Sequence, residues 1–334
     1  MGFCNSSTRE SAAGTGRASG TPAVSTPNPE PRTPNPESRI PPSAPRQLAA
    51  EAASPGDSAL RLPPSAFRLL IDPPAARAWN MAVDEALLEA AATEGRPTLR
   101  FYQWQEPTLS LGYFQEYEDR RRHAASAGCP TVRRTSGGGA ILHDRELTYS
   151  LAVPEGHPLV ADRLRTYRVI HESLIDALSG WGIEATLYTC GMAAADRASI
   201  RPQPGSAVPQ CTEEPQPGRQ PFLCFQRRSL GDVLAGGVKI AGSAQHRRRG
   251  AVLQHGSVLL ARSAAAPELD GLKDRTDKSI AVDKLIEAWL ERLAEVLAVE
   301  WRISALSGDD RRRATALDSE KYSTAAWTKN RGRR

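Results

Sequence analysis

The stretch VRRTSGGGAILHDRELTYSL, residues 132–151, decides the fold. Apolar and β-branched residues cluster around Val132, around Ile141 and Leu142, and from Leu147 onward, and they read as three strands with no helix between them. Gly137, Gly138 and Gly139 separate the first strand from the second. Strands that follow one another this directly point to an antiparallel or mixed sheet rather than a parallel one wound through helices.

The flanking sequence extends the same pattern. Upstream, FRLLID reads as a strand and AARAWNMAVDEALLEAAAT carries a helical stripe through Trp79, Ala82, Ala86, Leu87 and Ala90. TLRFYQW and TLSLGYFQ are strands separated at Pro107. Downstream, residues 162–179 read as a helix and IEATLY as a strand. GDVLAGGVKIAG and GAVLQHGSVLL are further strands, and SIAVDKLIEAWLERLAEVLA is an amphipathic helix. The expected fold is α+β, a mixed and largely antiparallel β-sheet flanked by α-helices.

Residues 1–64 are rich in Pro, Ser and Thr and poor in large apolar side chains, a composition expected to stay disordered. The folded catalytic domain is expected over 65–300. It is interrupted by a Pro- and Gln-rich surface insertion at 191–221 and followed over 301–334 by a helix and a basic tail. The net charge of +5 comes with no aromatic-interleaved basic patch, which argues against nucleic-acid binding. No apolar run approaches the roughly 18 residues a membrane span needs. Five irregularly spaced cysteines suggest free thiols in a reducing cytoplasm. No metal-ligand spacing is evident.

Two clusters could carry chemistry. In RRTSGGGAILHD, the glycines Gly137, Gly138 and Gly139 let backbone amides approach a ligand. Arg133 and Arg134 precede them and His143 follows. A carboxylate, thioester or phosphate cradle and an ordinary glycine hairpin are equally compatible with this composition. The stretch is not a P-loop, because no Gly-Lys-Ser/Thr follows. In the second cluster, CFQRRSLGDVLAGGVKIAGSAQ, Lys239 sits between Val238 and Ile240 and alternates away from them. The small residues Gly242, Ser243 and Ala244 leave room for a ligand. Cys224 stands between Leu223 and Phe225, and local sequence does not separate it from Cys129 or Cys190.

The ordered set NMAVDEALLE, LRFYQWQEPTLSLGYFQ, VRRTSGGGAILHDRELTYSL and GVKIAGSAQHRRRGAVLQHGSVLL resembles the catalytic domain shared by lipoate-protein ligases, octanoyltransferases and, more distantly, biotin-protein ligases. The resemblance runs from about residue 67 to 300, and KYSTAAW resembles the end of that domain. It implies an acyl-binding tunnel lined by the glycine loop and the lysine strand, and it makes Lys239 the family's essential lysine. The Cys224-Phe225 pair upstream of that strand resembles the cysteine-dependent octanoyltransferase branch, which makes Cys224 the nucleophile. The residues after it depart from that branch: Gln226, Arg227 and Arg228 stand where an acidic and small stretch is usual.

The resemblance implies transfer of an octanoyl group from an acyl carrier protein thioester, through a cysteine acyl-enzyme, to a lysine of a lipoyl domain. That acceptor would be the glycine cleavage H protein or a 2-oxoacid dehydrogenase E2. No cofactor is expected, and the chain is expected to act as a monomer. Two other readings stay open: an ATP- and Mg-dependent lipoate ligase, and a non-catalytic protein that binds acyl carriers or lipoyl domains.

Overall fold

The computed structural model describes residues 66–162, 164–190 and 220–332. The expected tail and nearly all of the 191–221 insertion lie outside these residues.

Eight strands form one mixed sheet in the order β11-β1-β2-β6-β10-β9-β8-β7. They are β1 (Ala66–Ile71), β2 (Thr98–Tyr102), β6 (Glu146–Val153), β7 (Ala185–Leu187), β8 (Val233–Ala235), β9 (Val238–Arg248), β10 (Ala251–Leu259) and β11 (Glu300–Ile303). Only β11–β1 and β1–β2 pair in parallel; the other neighbours are antiparallel. A second sheet, ordered β4-β3-β5, is built from β3 (Thr108–Leu111), β4 (Thr131–Arg133) and β5 (Ile141–His143). The mixed, largely antiparallel α+β class expected from the sequence is the one observed.

Side chains on successive strand residues point to opposite faces, so each face of the large sheet collects its own core. On one face, Phe101, Tyr149 and Val258 pack against Ile170, Leu174 and Leu178 of α2 (Arg165–Ser179) and Leu285, Trp289 and Leu293 of α4 (Val282–Leu297). On the other, Tyr102, Ala152 and Leu253 pack against Met81, Leu87 and Leu88 of α1 (Arg77–Glu94). A one-turn helix, α3 (Leu272–Thr276), precedes α4.

The C-terminal segment differs from the expected helix and basic tail. It holds β11, α5 (Gly308–Leu317) and α6 (Ala325–Asn330). Ala314, Leu317 and Tyr322 join the α1 core, and the Tyr322 hydroxyl donates to Glu85 at 2.6 Å. This segment completes the domain rather than trailing from it.

Candidate active site

Cys224 and the glycine loop meet through the backbone. Ala140, at the exit of the loop, pairs with Leu223 in an isolated parallel bridge. The Cys224 amide donates to the Ala140 carbonyl at 2.7 Å, and the Ala140 amide donates to Phe222 at 3.0 Å. Phe222, Leu223 and Phe225 are buried, which anchors the segment and leaves Cys224 half-exposed among them. The chain then makes a single tight turn over Cys224–Gln226.

Lys239 reaches this turn from β9. It is 4% exposed, so it is not the solvent-facing strand lysine that composition favours. Its Nζ lies 2.8 Å from Asp232 Oδ2, 3.4 Å from the Cys224 carbonyl and 3.8 Å from the Cys224 Sγ. These contacts use all three donors of an ammonium. The Phe225 ring lies 5.2 Å from the same nitrogen. The β8–β9 register shifts between Val233 and Leu234, so simple alternation does not describe the strand where Lys239 turns inward. Burial raises the Asp232 carboxyl above its usual range, and the Lys239 charge only partly opposes this.

Gly242 permits the pair. A Cβ there would lie 2.6 Å from Lys239 Cε and 2.8 Å from Asp232 Oδ1. Residues 242–244 are not a turn but lie within β9, with Gly242 opposite Ser257 and Ala244 opposite His255. The Ser243 hydroxyl is taken by His171 Nε2 at 3.0 Å. His171 also binds the Gly231 carbonyl, directly before Asp232, and so braces the turn that presents the carboxylate. Burial pushes His171 down to about 4.

The adjacent arginines separate. Arg134 donates to the carbonyls of Ser110 (2.8 Å), Gly137 (3.3 Å) and Gly139 (2.8 Å) and so shapes the loop from within. Burial pushes its guanidinium down to about 10, with negative charge at Cys224 pulling the other way. Arg133, expected in the same cradle, is spent elsewhere. It binds the carbonyls of Gly112, Tyr113 and Gln115 at 2.7–3.0 Å and that of Thr328 at 3.0 Å, which ties α6 to the domain. Arg133 ends β4 and Arg134 lies just past it, and only the second of the two arginines reaches the loop.

Gly138 has φ +93, a conformation that favours glycine, and Gly112 leaves space for the Gly138 carbonyl. His143 stands behind Arg134: its Nε2 meets Ser110 Oγ at 2.7 Å and its Nδ1 meets Glu146 Oε1 at 3.0 Å. Trp104 stacks on it at 4.0 Å. Burial lowers the His143 pKa, which favours the neutral ring. The second histidine, His255, links Ser136, at the start of the loop, to Asp84 at 3.3 Å.

The structure thus joins Cys224, Lys239, Arg134, Gly242 and the glycine loop, and turns Arg133 and Ser243 away. Sequence reasoning missed Asp232, whose only signal was an acidic residue in the turn before a buried strand. Cys129 and Cys190, which local sequence did not separate from Cys224, are half-buried, and neither is disulfide-bonded. Among the described residues no cluster of His, Cys, Asp and Glu could hold a metal, and no helix is long and apolar enough to cross a membrane. Neither the cavity of about 330 Å³ lined by Gln103, Glu146 and Lys273 nor that of about 350 Å³ lined by Thr131, Tyr322 and Lys329 includes Cys224 or Lys239, so it is the charge set that locates the chemistry.

Residues 76–297 match the lipoyl protein ligase A/B catalytic domain family. The chain belongs to this family. It is 33% identical to the octanoyltransferase LipM of Anoxybacillus flavithermus over 75% of its own length and 93% of that protein. It is 34% identical to the LipM of Kyrpidia tusciae over 78% and 97%. These relatives put it in the octanoyltransferase branch. Among solved structures, a putative lipoate protein ligase from T. acidophilum with bound lipoic acid superposes with TM-score 0.60 at 23% identity, over 80% of this chain and 100% of that one. Lipoate-protein ligase A bound with ATP superposes at 0.58 and 23%, over 79% and 98%. At these identities the superpositions speak to the fold.

Proposed function

We propose a specific route for the octanoyl transfer that marks this branch. The observation that carries it is the placement of Cys224, whose Sγ lies 3.8 Å from Lys239 Nζ and whose amide is bonded to Ala140 at the exit of the glycine loop that Arg134 holds. The reactive form of a cysteine is the thiolate, and the Lys239 amine stands 3.8 Å from the Cys224 sulfur where the attack begins. Cys224 attacks the carbonyl of an octanoyl thioester carried by an acyl carrier protein. The C–S bond to the carrier breaks, the carrier thiolate leaves and takes a proton from water, and the acyl group rests on Cys224. The deprotonated ε-amine of a lysine on a lipoyl domain then attacks. The C–S bond to Cys224 breaks as the amide forms, the proton lost by the amine passes to the departing Cys224 thiolate, and the greater stability of an amide over a thioester drives the step.

Asp232 acts on this chemistry through Lys239. It offsets the ammonium, so that a buried cation is tolerated, and fixes its nitrogen near the sulfur. Thioester exchange is close to balanced, and the route calls for no nucleotide, cofactor or metal. The acceptors we propose are the glycine cleavage H protein and 2-oxoacid dehydrogenase E2 lipoyl domains. The chain would act as a monomer in a reducing cytoplasm, where Cys224 stays a thiol.

The test is donor dependence. Purified protein and a lipoyl domain are incubated either with octanoyl-carrier protein alone or with free lipoate, ATP and Mg. Modification with the first donor alone supports the route. Modification only with the second would replace it by adenylate chemistry, and binding without turnover by the binding-protein reading.

A further inference from the structure

The residues that follow Cys224 depart from their branch, and they place a second guanidinium at the loop. Arg227 is half-buried, and its amide donates to the Cys224 carbonyl at 3.1 Å. From there its side chain folds back over Gly139. A Cβ on Gly139 would lie 2.0 Å from Arg227 Nη2 and 2.8 Å from Cζ, so the guanidinium rests directly on the glycine. Arg134 holds the carbonyl of the same residue from the other side. Two cations therefore flank Gly139, one residue before the carbonyl that fixes Cys224.

Neither cation meets a carboxylate among the described residues. The partners of Arg134 are carbonyls and the Ser110 hydroxyl, and Arg227 binds Gln220 Oε1. Each also keeps a buried Nε without a hydrogen-bond partner. Buried donors are nearly always satisfied, and two unsatisfied ones at one loop call for an acceptor that arrives with the substrate. By contrast, Lys239 is already matched by Asp232.

We infer that Arg227 is a catalytic residue that, with Arg134, receives the oxyanion formed when Cys224 attacks the acyl thioester. The inference rests on Cys224 being the nucleophile. In the step, the new S–C bond forms and the carbonyl π pair moves onto oxygen. Arg134 and Arg227 hold that charge until the pair returns and the C–S bond to the carrier breaks. The carrier thiolate leaves and takes a proton from water. A guanidinium suits this task because it stays charged and presents several donors in a fixed plane.

Arg227 can be changed without opening the core, because it is only half-buried. The experiment is rapid-quench octanoylation, read by intact mass, of wild type, Arg227→Lys and Arg227→Gln with octanoyl-carrier protein. Sodium sulfate is titrated at constant ionic strength as a probe anion. Arg227→Gln should slow the acylation step by roughly 30-fold with KM changed less than about threefold, the scale of one oxyanion donor partly backed by another. Arg227→Lys should recover most of that rate. Sulfate should compete with the donor in wild type and compete less well in Arg227→Gln.

Equal acylation rates in wild type and Arg227→Gln, with sulfate inert in both, would overturn the inference while leaving Cys224 in place. A faster Arg227→Gln would overturn it in favour of a side chain that merely covers the loop. Absence of any adduct on wild type would instead remove the nucleophile assignment itself.

Discussion

Two buried aspartates, Asp84 and Asp232, each sit against a buried cation, and their surroundings could hardly differ more. Asp84 accepts from Arg100 Nη1 at 2.9 Å, Tyr102 at 2.9 Å and Ser150 at 2.8 Å, and contacts His255 at 3.3 Å. Burial alone would raise its pKa, but the His255 hydrogen bond and the Arg100 charge outweigh burial and hold it below the usual range. Asp232 accepts from Lys239 and from the Ser229 amide at 2.6 Å, and burial wins: its pKa is raised. The first pair is saturated and fixes α1 to the sheet. The second leaves its cation with contacts to spare, and those contacts reach the Cys224 carbonyl and sulfur. A carboxylate surrounded by donors makes structure, whereas one that shares its cation with a thiol makes a site.

The largest effect expected from breaking this contrast is at Lys239. Lys239→Met should cut octanoyl transfer to a lipoyl domain by at least about a hundredfold, the loss expected when a charge at the reacting centre goes. Thermal denaturation should show that the Lys239→Met variant keeps its fold; unfolding at room temperature would assign Lys239 a structural role instead.

Asp84→Asn should reverse the balance. It leaves Arg100 buried without its charge partner and should cost about 3–5 kcal/mol in urea denaturation. Transfer per folded molecule should stay within a few-fold of wild type. Asp232→Asn should cost less stability, about 1–3 kcal/mol, yet lower the acylation rate about tenfold because Lys239 loses its anchor. If the two asparagine variants behaved alike, the contrast would fail.

Gly242→Ala sharpens the same point without touching charge. The added methyl pushes on Lys239 and Asp232 and should cost about 1–3 kcal/mol with a matching loss of rate. The last effect concerns pH and leaves the transfer chemistry untouched. His171 ionises near 6.5 when unfolded and at about 4 when folded, so the unfolded chain binds the extra proton between these values. Its contribution is whole above pH 6.5 and is lost as pH falls toward 4, on the order of 3 kcal/mol. His171→Gln should flatten the fall in stability between pH 6.5 and 4; an unchanged slope would place the acid sensitivity in another group.

Strand positions, α1, α2 and α4 were legible because each follows one hydrophobic period over many residues, as in TLRFY and VDKLIEAWLERLAEVL. The glycine loop and Lys239 were legible through the family resemblance. What escaped was non-local. Asp232 reads as a turn residue, and its bond to Lys239 forms across the β8–β9 pair, seven residues apart in the chain and beside a register shift. Helix α5 buries only Asp310, Ala314 and Leu317 of ten residues, so no apolar stripe announced it. Arg133 and Arg134 are chemically identical neighbours, and only their placement, one as the last residue of β4 and the other just past it, sends one to α6 and the other to the loop. Gly242 reads as room for a ligand by composition but is small because the Lys239–Asp232 pair occupies the space beside it.

The central claim is that Cys224 carries the acyl group. The most direct measurement is intact mass after incubation with octanoyl-carrier protein without ATP, for wild type and Cys224→Ser. The account predicts one octanoyl adduct on wild type that hydroxylamine removes, that an added lipoyl domain takes up, and that Cys224→Ser lacks. An adduct that persists in Cys224→Ser, or transfer to the lipoyl domain that survives the substitution, would contradict it.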